Sequence, residues 1–329
     1  MRSYPLVWVH LGQKRIPKYL KTSLKNHARV FPNESLVLLV DNEVNLINFG
    51  IPNLKVERVS VIDPKWESLK QSLDHDLSFR HEFWFSSLAR FRFLYEYMRK
   101  NNTNRILHIE SDVVVLPNFP FNDLYKLESK LGYLIQGHGQ CIASLFYVGS
   151  RDILEEFLDF CIMQVTQNSR STDMTILFNF AVEHRDKVSF FPTLLESRHG
   201  KFLEVSGFQG VFDAISVGQY LFGIDPRNFR GKRIVFKESE NHYVKPSNYR
   251  FEWHENTLIA IGKSRSIELF SLHIHSKDVR LFRLSGLKKQ LVSRNQESKY
   301  GETSEIIVLE VLKSIGIALG RRIRRSCLW

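Results

Sequence analysis

Short apolar runs alternate with segments of helical periodicity along the first part of the chain. Residues 6–11 and 35–40 are almost continuously apolar and rich in strand-forming residues, which predicts two buried strands. Between them, Pro17 stands where a helix favours proline at its first position, and apolar residues follow at helical spacing. Buried apolar strands that alternate with amphipathic helices predict an α/β fold with a mostly parallel sheet flanked by helices.

The same periodicities predict the later elements. A long helix is predicted over residues 86–100, after a polar and irregular stretch at 60–85. Strands are predicted at 105–109, 132–136, 143–148, 190–195, 258–261 and 269–274, and helices at 152–167, 173–183 and from 288 onward. The glycine- and aromatic-rich residues 207–231 have no clear period and are predicted to form a functional loop, because long loops in compact domains tend to carry function.

Composition narrows the classes of protein. The 329 residues, 43% hydrophobic and 25% charged, are an ordinary globular mixture, and the net charge of +11 indicates an anionic partner. Cys141, Cys161 and Cys327 are too few and too widely spaced for a disulfide framework or a cysteine zinc site. The first apolar run is too short for a signal peptide and no apolar stretch reaches the length of a spanning helix, so a cytoplasmic location is expected.

Two acidic residues, Glu110 and Asp112, follow the strand predicted at residues 105–109. Ligands of parallel α/β sheets bind outside the carboxyl ends of the strands, and two carboxylates one residue apart in an extended segment face the same side. Such a pair repels itself unless a cation or a proton lies between the groups, and oxygen ligands suit Mg²⁺ or Mn²⁺ bound to substrate phosphates. The alternative is that the acidic residues merely end the strand, one of them as a cap.

The segments around this pair resemble a known family. In sugar transferases of the GT-A fold, a helix of pattern S-D-x-x-R-Y-x-x-L-Y precedes a strand that ends in D-x-D, and residues 86–95 and 110–112 resemble these two motifs. Residues 7–17 resemble the W-I-G-x-x-x-P start of initiating mannosyltransferases of yeast and of glucosylating clostridial toxins. Ser87 stands in place of the aspartate of the helix, and Glu110 in place of the first aspartate of D-x-D.

The resemblance implies a GT-A type, Rossmann-like fold and a metal-dependent hexosyltransferase of polysaccharide biosynthesis. The implied reaction moves a sugar from a UDP- or GDP-sugar to a glycan, lipid-linked or protein acceptor, with retention of configuration. Glu110 and Asp112 would bind Mn²⁺ or Mg²⁺. The residues assigned to the nucleotide sugar are His10 and Asp41 at strand ends, Arg90 on the helix, Ser111 between the two acidic residues, and Lys277.

Three residues of one late segment extend the implied metal site. His273 and His275 are two apart on a predicted strand, so both are expected to face the same side. Together with Lys277 they resemble the late His…Lys segment of glycogenin-like sugar transferases, which implies a histidine ligand for the metal and a lysine beside the diphosphate. The alternative is a strand with one solvated and one hydrogen-bonded histidine.

Three further residues are candidates for catalysis. Asp173 resembles the aspartate of a D-Q-x-x-x-N helix near the donor sugar of retaining transferases, although it or Thr172 also suits a helix N-cap. Asp213 and Gln219 lie among glycines, which allow close backbone approach, and are candidates to hydrogen-bond sugar hydroxyls. The alternative for these two is an ordered turn.

The resemblance also divides the chain. It implies a GT-A-like catalytic domain at residues 1–285, with a donor half at about 1–150 and an acceptor half at about 151–285, followed by helices and a basic tail at 286–329. Residues 305–319 have apolar helical spacing and precede a cluster of arginines at 321–325. This pattern suits peripheral membrane contact or, alternatively, a core-packed last helix with a solvated tail.

Two rival functions remain at this point. A nucleic-acid-binding protein fits the charge of +11, but no recognised nucleic-acid-binding motif occurs and the phenylalanines of the helix at 86–100 are predicted to face the core, so no nucleic-acid partner is predicted. A transferase-like protein that binds carbohydrate without catalysis fits the departures at Ser87 and Glu110.

Overall fold

The computed structural model describes residues 4–12, 15–41, 49–60, 63–73, 83–194, 207–225 and 243–299, with side chains to residue 292. The predicted helix at 305–319, the arginine cluster after it, Cys327 and residues 226–231 of the predicted functional loop lie outside the described residues. None of the helices within the described ranges is long and apolar enough to cross a membrane.

The described residues form twelve strands and seven α-helices. The strands are β1 (Leu6–His10), β2 (Leu36–Val40), β3 (Leu54–Arg58), β4 (Ile106–Ile109), β5 (Val113–Val115), β6 (Leu131–Gly137), β7 (Gln140–Val148), β8 (Val188–Phe191), β9 (Arg250–His254), β10 (Thr257–Ile261), β11 (Ser266–Leu269) and β12 (Ser271–His273). The helices are α1 (Lys18–Val30), α2 (Pro64–Ser72), α3 (Phe83–Lys100), α4 (Arg151–Gln167), α5 (Asp173–Glu183), α6 (Ser216–Phe222) and α7 (Leu284–Lys299).

A seven-stranded sheet forms the centre, in the order β3-β2-β1-β4-β7-β6-β8. Neighbouring strands are parallel except where β7 runs antiparallel to β4 and β6. The predicted α/β class with a mostly parallel sheet flanked by helices is therefore confirmed.

The central strands are buried on both faces. In β1, Trp8 packs into a core with Leu20 of α1, whereas Val7 packs into the opposite core with Phe91 of α3. A strand covered on both faces must be apolar throughout, which explains why residues 6–11 have no alternating pattern. The two cores fix the sheet between α1 on one side and α3 on the other.

The order of the strands reverses at β1. The chain passes from β1 to β2 and β3 on one side, and later returns to β4 on the other side of β1. Open α/β sheets bind ligands in the crevice outside the carboxyl ends of the strands at such a switch point. His10, the last residue of β1, and Glu110, the residue after β4, lie at this crevice.

Several elements differ from the sequence prediction. The apolar run at 269–274 is not one strand but two, because β11 pairs with β10 whereas β12 pairs with β5. Strands β3, β5 and β9 and helix α6 were not predicted, since each is short and is defined by its partners more than by its own periodicity. Helices α3 and α7 begin earlier than predicted, at Phe83 and Leu284.

A buried histidine ties α1 to β5. The Nδ1 group of His27 donates to the carbonyl of Ser23 at 2.8 Å, so Nε2 is the acceptor for the backbone N–H of Val115 at 3.2 Å. Complete burial lowers the pKa of His27 to about 4, although the hydrogen bond to Ser23 opposes the shift. The neutral ring is therefore part of the folded structure.

We predict that His27 makes folding pH-dependent. The unfolded chain binds a proton near pH 6.5 and the folded chain only near pH 4, so stability is complete above 6.5 and is lost as the pH falls towards 4. Between pH 6.5 and 5, wild type should lose about 1.5 kcal/mol more unfolding free energy than His27→Gln. Urea denaturation at several pH values measures this difference. Equal pH slopes for wild type and His27→Gln would contradict the prediction, and the exposed His254→Gln serves as the control.

Candidate metal centre

The acidic pair lies in a tight turn at the end of β4. Residues Glu110 to Val113 form the turn, which the backbone N–H of Val113 closes by donating to the carbonyl of Glu110 at 3.1 Å. The backbone N–H of Glu110 donates to Ser144 of β7 at 2.9 Å. The premise that the pair lies in an extended segment was therefore wrong, because the chain reverses here, but the turn still brings the two carboxylates together.

Pairing of β12 with β5 adds a histidine to this pair. His273 is the cross-strand partner of Val113, and the backbone N–H of Ile274 donates to the carbonyl of Asp112 at 2.7 Å. The Nε2 atom of His273 lies 3.4 Å from Oδ1 of Asp112 and 4.0 Å from Oε2 of Glu110. One ligand atom from each of the three side chains lies within 4.8 Å of the others.

The donor set fits a divalent cation. The Nδ1 group of His273 donates to the carbonyl of Ala214 at 2.7 Å, which leaves Nε2 as the ring nitrogen directed at the two carboxylates. A hydrogen bond of this kind, from the ring nitrogen that does not face the metal, fixes the tautomer of histidines that bind metals. Two ligands of one Mn²⁺ or Mg²⁺ ion lie about 3 to 4.4 Å apart. The distances from Nε2 of His273 to Asp112 and to Glu110, 3.4 and 4.0 Å, fall within this range.

The electrostatics of the cluster favour positive charge. Burial lowers the pKa of His273, but the carboxylates of Asp112 and Glu110 outweigh burial and raise it to about 9. Burial raises the pKa of Asp112, but His273 and Lys277 outweigh burial and hold it well below its ordinary value. Metal binding requires the neutral imidazole, so a cation bound here would replace the proton of His273.

Arg90 connects Glu110 to the start of α5. Its guanidinium pairs with Oε1 of Glu110 and donates to Oδ2 of Asp173 at 2.5 Å. Asp173 is the first residue of α5, and Thr172 caps the helix through a reciprocal bond with Thr175. The N-cap is therefore Thr172. Burial raises the pKa of Asp173, and the charge of Arg90 opposes this shift without cancelling it.

Lys277 lies beside the carboxylate oxygen of Asp112 that is not next to His273. Its Nζ is 3.3 Å from Oδ2 of Asp112 and 3.6 Å from Oδ2 of Asp225. The residue has φ +56°, a left-handed conformation that is uncommon outside glycine and that is typical of turns and functional sites. The turn at Ile274 to Lys277 thus brings an ammonium group to the edge of the cluster.

His275 is not part of the cluster. The strand β12 ends at His273, and His275 lies in the following turn, where its Nδ1 accepts the backbone N–H of Asp225 at 2.9 Å. The chain leaves the extended conformation between the two histidines, but their ring centroids are still 6.2 Å apart. Burial and the neighbouring His273 lower the pKa of His275 to about 4.

The other predicted residues lie around this centre. Asp213 is buried, and both of its carboxylate oxygens accept backbone N–H groups. Gln219 is half-buried on α6, and Ser111 lies within the turn of the acidic pair. Asp41 follows β2 and accepts the backbone N–H of Gly12 at 2.5 Å, which fixes the loop after β1 beside His10.

Sequence reasoning missed three residues of the site. Ala214 acts through its backbone carbonyl, which no side-chain pattern marks. Gly218 lies so close to His273 that a β-carbon there would be 1.8 Å from the His273 carbonyl oxygen. Asp225 was not singled out within the glycine-rich residues 207–231, because its position near Lys277 depends on tertiary structure.

The chain is similar to solved structures of one sugar transferase. No protein-family model and no curated protein sequence matches the chain. Among solved structures, the galactosyltransferase LgtC in complex with donor and acceptor sugar analogs is 14% identical, with 58% of this chain and 74% of that chain covered and a TM-score of 0.39. An active-site mutant of LgtC is 14% identical over 62% of this chain and 79% of its own, with a TM-score of 0.40. The α/β class of the fold follows from the order and the mostly parallel direction of the strands in the seven-stranded sheet.

We predict that Arg90→Met destabilises the metal-free protein by about 3–5 kcal/mol, because it leaves the carboxylates of Glu110 and Asp173 without their buried partner. Arg99→Met on the same helix is the control, since the Arg99 side chain is 63% exposed and its ion pair should contribute at most about 1 kcal/mol. Urea unfolding of both variants measures the difference. Equal stability of the two variants would show that Arg90 does not hold the carboxylates together.

Proposed function

We propose that the protein is a metal-dependent glycosyltransferase of the GT-A type that uses a nucleotide-sugar donor. The observation that carries the proposal is the cluster of Glu110, Asp112 and His273 at the switch point of a mostly parallel sheet. A crevice at this place is where α/β folds bind nucleotides, and a metal set of two carboxylates and one imidazole suits a phosphate-bound cation. The resemblance of the surrounding segments to sugar transferases supports the same class.

Three side chains would hold the cation. Asp112 and His273 would be the principal ligands, and Glu110, which shares one oxygen with Arg90, would be the weaker one. The cation, Mn²⁺ or Mg²⁺, supplies charge neutralisation for a diphosphate leaving group when it is bound. No protein acid is then required to protonate the leaving group.

The chain's own residues prepare the donor for transfer. The ammonium of Lys277 is 3.3 Å from Asp112 and would bind a phosphate oxygen beside the metal ligands. Arg90 orients Glu110 and Asp173 at the same time, so the position of the metal ligand and that of the carboxylate assigned to the donor sugar are linked. Gln219 on α6 would add a second contact to the sugar.

The remaining donor contacts follow the edge of the sheet. His10 and Asp41 would line the base and ribose pocket at the ends of β1 and β2, and Ser111 would approach a phosphate from the turn. The donor is a UDP- or GDP-sugar, the acceptor a glycan, a lipid-linked sugar or a protein, and the reaction proceeds with retention; these features rest on the family resemblance.

We predict that Asp112→Asn abolishes metal-dependent use of the donor. With Mn²⁺ and candidate UDP- and GDP-sugars, its rate of transfer or hydrolysis should fall at least about a hundredfold, because the principal carboxylate ligand is lost. The rate of Glu110→Gln should fall less, because Arg90 already pairs with one carboxylate oxygen of Glu110. Asp123→Asn, remote on a short helical turn, is the matched control. Donor consumption followed with and without Mn²⁺ gives these rates.

Two results would redirect the assignment. Wild-type rates in both Asp112→Asn and Glu110→Gln would exclude these carboxylates as metal ligands. Calorimetric binding of a sugar nucleotide or a glycan by wild type, without any turnover, would support the carbohydrate-binding alternative instead.

A further inference from the structure

The carboxylate of Asp213 accepts three backbone N–H groups. Its Oδ1 accepts from Val217 at 3.0 Å, and its Oδ2 accepts from Gly218 at 2.8 Å and from His273 at 3.0 Å. The residue is 3% exposed. Two of these donors lie in α6 and the third belongs to β12, so one carboxylate joins α6 to the strand that carries the histidine of the metal cluster.

The residue after Asp213 holds the ring of the same histidine. The Nδ1 group of His273 donates to the carbonyl of Ala214 at 2.7 Å. The backbone N–H of Asp213 donates in turn to Oγ of Ser271, the first residue of β12, at 3.3 Å. Residues 213–214 therefore fix both the backbone and the tautomer of His273.

Close packing removes the remaining freedom of this histidine. Gly218 is so near β12 that a β-carbon would lie 1.8 Å from the carbonyl oxygen of His273 and 3.1 Å from Oδ2 of Asp213. Glycine permits this approach because it has no side chain. The carboxylate of Asp213 is thus enclosed by backbone on both sides.

We propose that Asp213 is a positioning residue that acts through His273 and gives the cluster its preference for Mn²⁺ over Mg²⁺. The inference rests on the proposed metal-dependent function and assigns Asp213 a role other than contact with the sugar. Both oxygens of its carboxylate are engaged by backbone donors, whereas the adjacent carbonyl of Ala214 directs Nε2 of His273 at Asp112 and Glu110.

The preference follows from ligand chemistry. Mg²⁺ demands oxygen ligands in near-ideal octahedral geometry and retains several waters, so the two carboxylates supply most of what it requires. Mn²⁺ lies higher than Mg²⁺ in affinity for nitrogen ligands and gains from a correctly directed imidazole. Loss of the support behind His273 should therefore weaken Mn²⁺ binding more than Mg²⁺ binding.

The test is a double-mutant cycle on metal affinity, with no sugar nucleotide present. Wild type, Asp213→Asn, His273→Gln and the double variant are titrated with Mn²⁺ by electron paramagnetic resonance, and with Mg²⁺ by competition. Asparagine presents an NH₂ group to backbone donors, so Asp213→Asn should weaken Mn²⁺ binding about 10- to 100-fold. Mg²⁺ affinity should change by less than about threefold, since it depends on the carboxylates. In the His273→Gln background, Asp213→Asn should have no further effect on Mn²⁺ binding.

Control variants separate positioning from general damage. Glu57→Gln alters a buried carboxylate on β3, remote from the cluster, and should leave Mn²⁺ affinity unchanged even if stability falls. If Asp213→Asn fails to fold, Ser271→Ala carries the test, with an expected Mn²⁺ loss of about two- to fivefold because one anchor of Asp213 is removed.

Three outcomes would overturn the inference. These are unchanged Mn²⁺ binding in a folded Asp213→Asn or Ser271→Ala variant, an equal loss in the His273→Gln background, and an equal loss for Mg²⁺. Failure of the proposed function gives a different result. Wild type would then bind Mn²⁺, and the four proteins of the cycle would show the expected affinities, but wild type would transfer no sugar. If wild type binds neither Mn²⁺ nor Mg²⁺, both the role of Asp213 and the proposed metal-dependent function are excluded.

Discussion

The antiparallel pairing of β5 with β12 is the contact on which the candidate site depends. Both strands are only three residues long, and the pair joins the turn after β4 to a segment near the end of the described chain. Without it, Glu110 and Asp112 would be an acidic turn at a sheet edge. His27 supports β5 through Val115, and Asp213 supports β12 through His273, so each short strand is held by a buried side chain from another element.

Buried charge is the second constraint. Carboxylates taken out of water are tolerated only when they are paired or hydrogen-bonded. Around the turn, Glu110 and Asp173 both form ion pairs with Arg90. Asp112 forms ion pairs with Lys277 and His273. The raised pKa of His273 and the lowered pKa of Asp112 have one cause, because each group stabilises the charged form of the other. The site therefore favours positive charge between the two carboxylates. A proton on His273 supplies positive charge there in the metal-free protein, and a bound divalent cation would supply more.

Four histidines of the chain show how the surroundings of an imidazole set its pKa. Burial lowers the pKa of His27 and of His275 to about 4 and, together with the charge of Arg90, lowers the pKa of His108 to about 3. His273 alone among these four has a raised pKa, because its Nε2 lies 3.4 Å from Asp112 and 4.0 Å from Glu110. All four imidazoles are at least partly buried, so the charges nearest to each ring decide the direction in which its pKa shifts.

Local pattern by itself determined the centre of the fold and the place of the acidic pair. Strands β1, β2 and β4 and the helix that carries Arg90 were predicted, because buried strands and amphipathic helices leave an apolar period in the sequence. The position of Glu110 and Asp112 at a strand end follows from the same pattern, and parallel topology makes a strand end a binding site. These features depend on residues close together in the chain.

Tertiary structure alone decided which side chains meet. The choice of His273 over His275, the break of one apolar run into β11 and β12, and the pairing of Arg90 with Asp173 all depend on contacts between distant segments. The role of Asp213 depends on backbone N–H groups, which are present at nearly every position and leave no mark in a sequence. Sequence thus predicted where a metal site would lie, and long-range pairing decided which side chains come together there, because three-residue strands acquire their partners only in the folded chain.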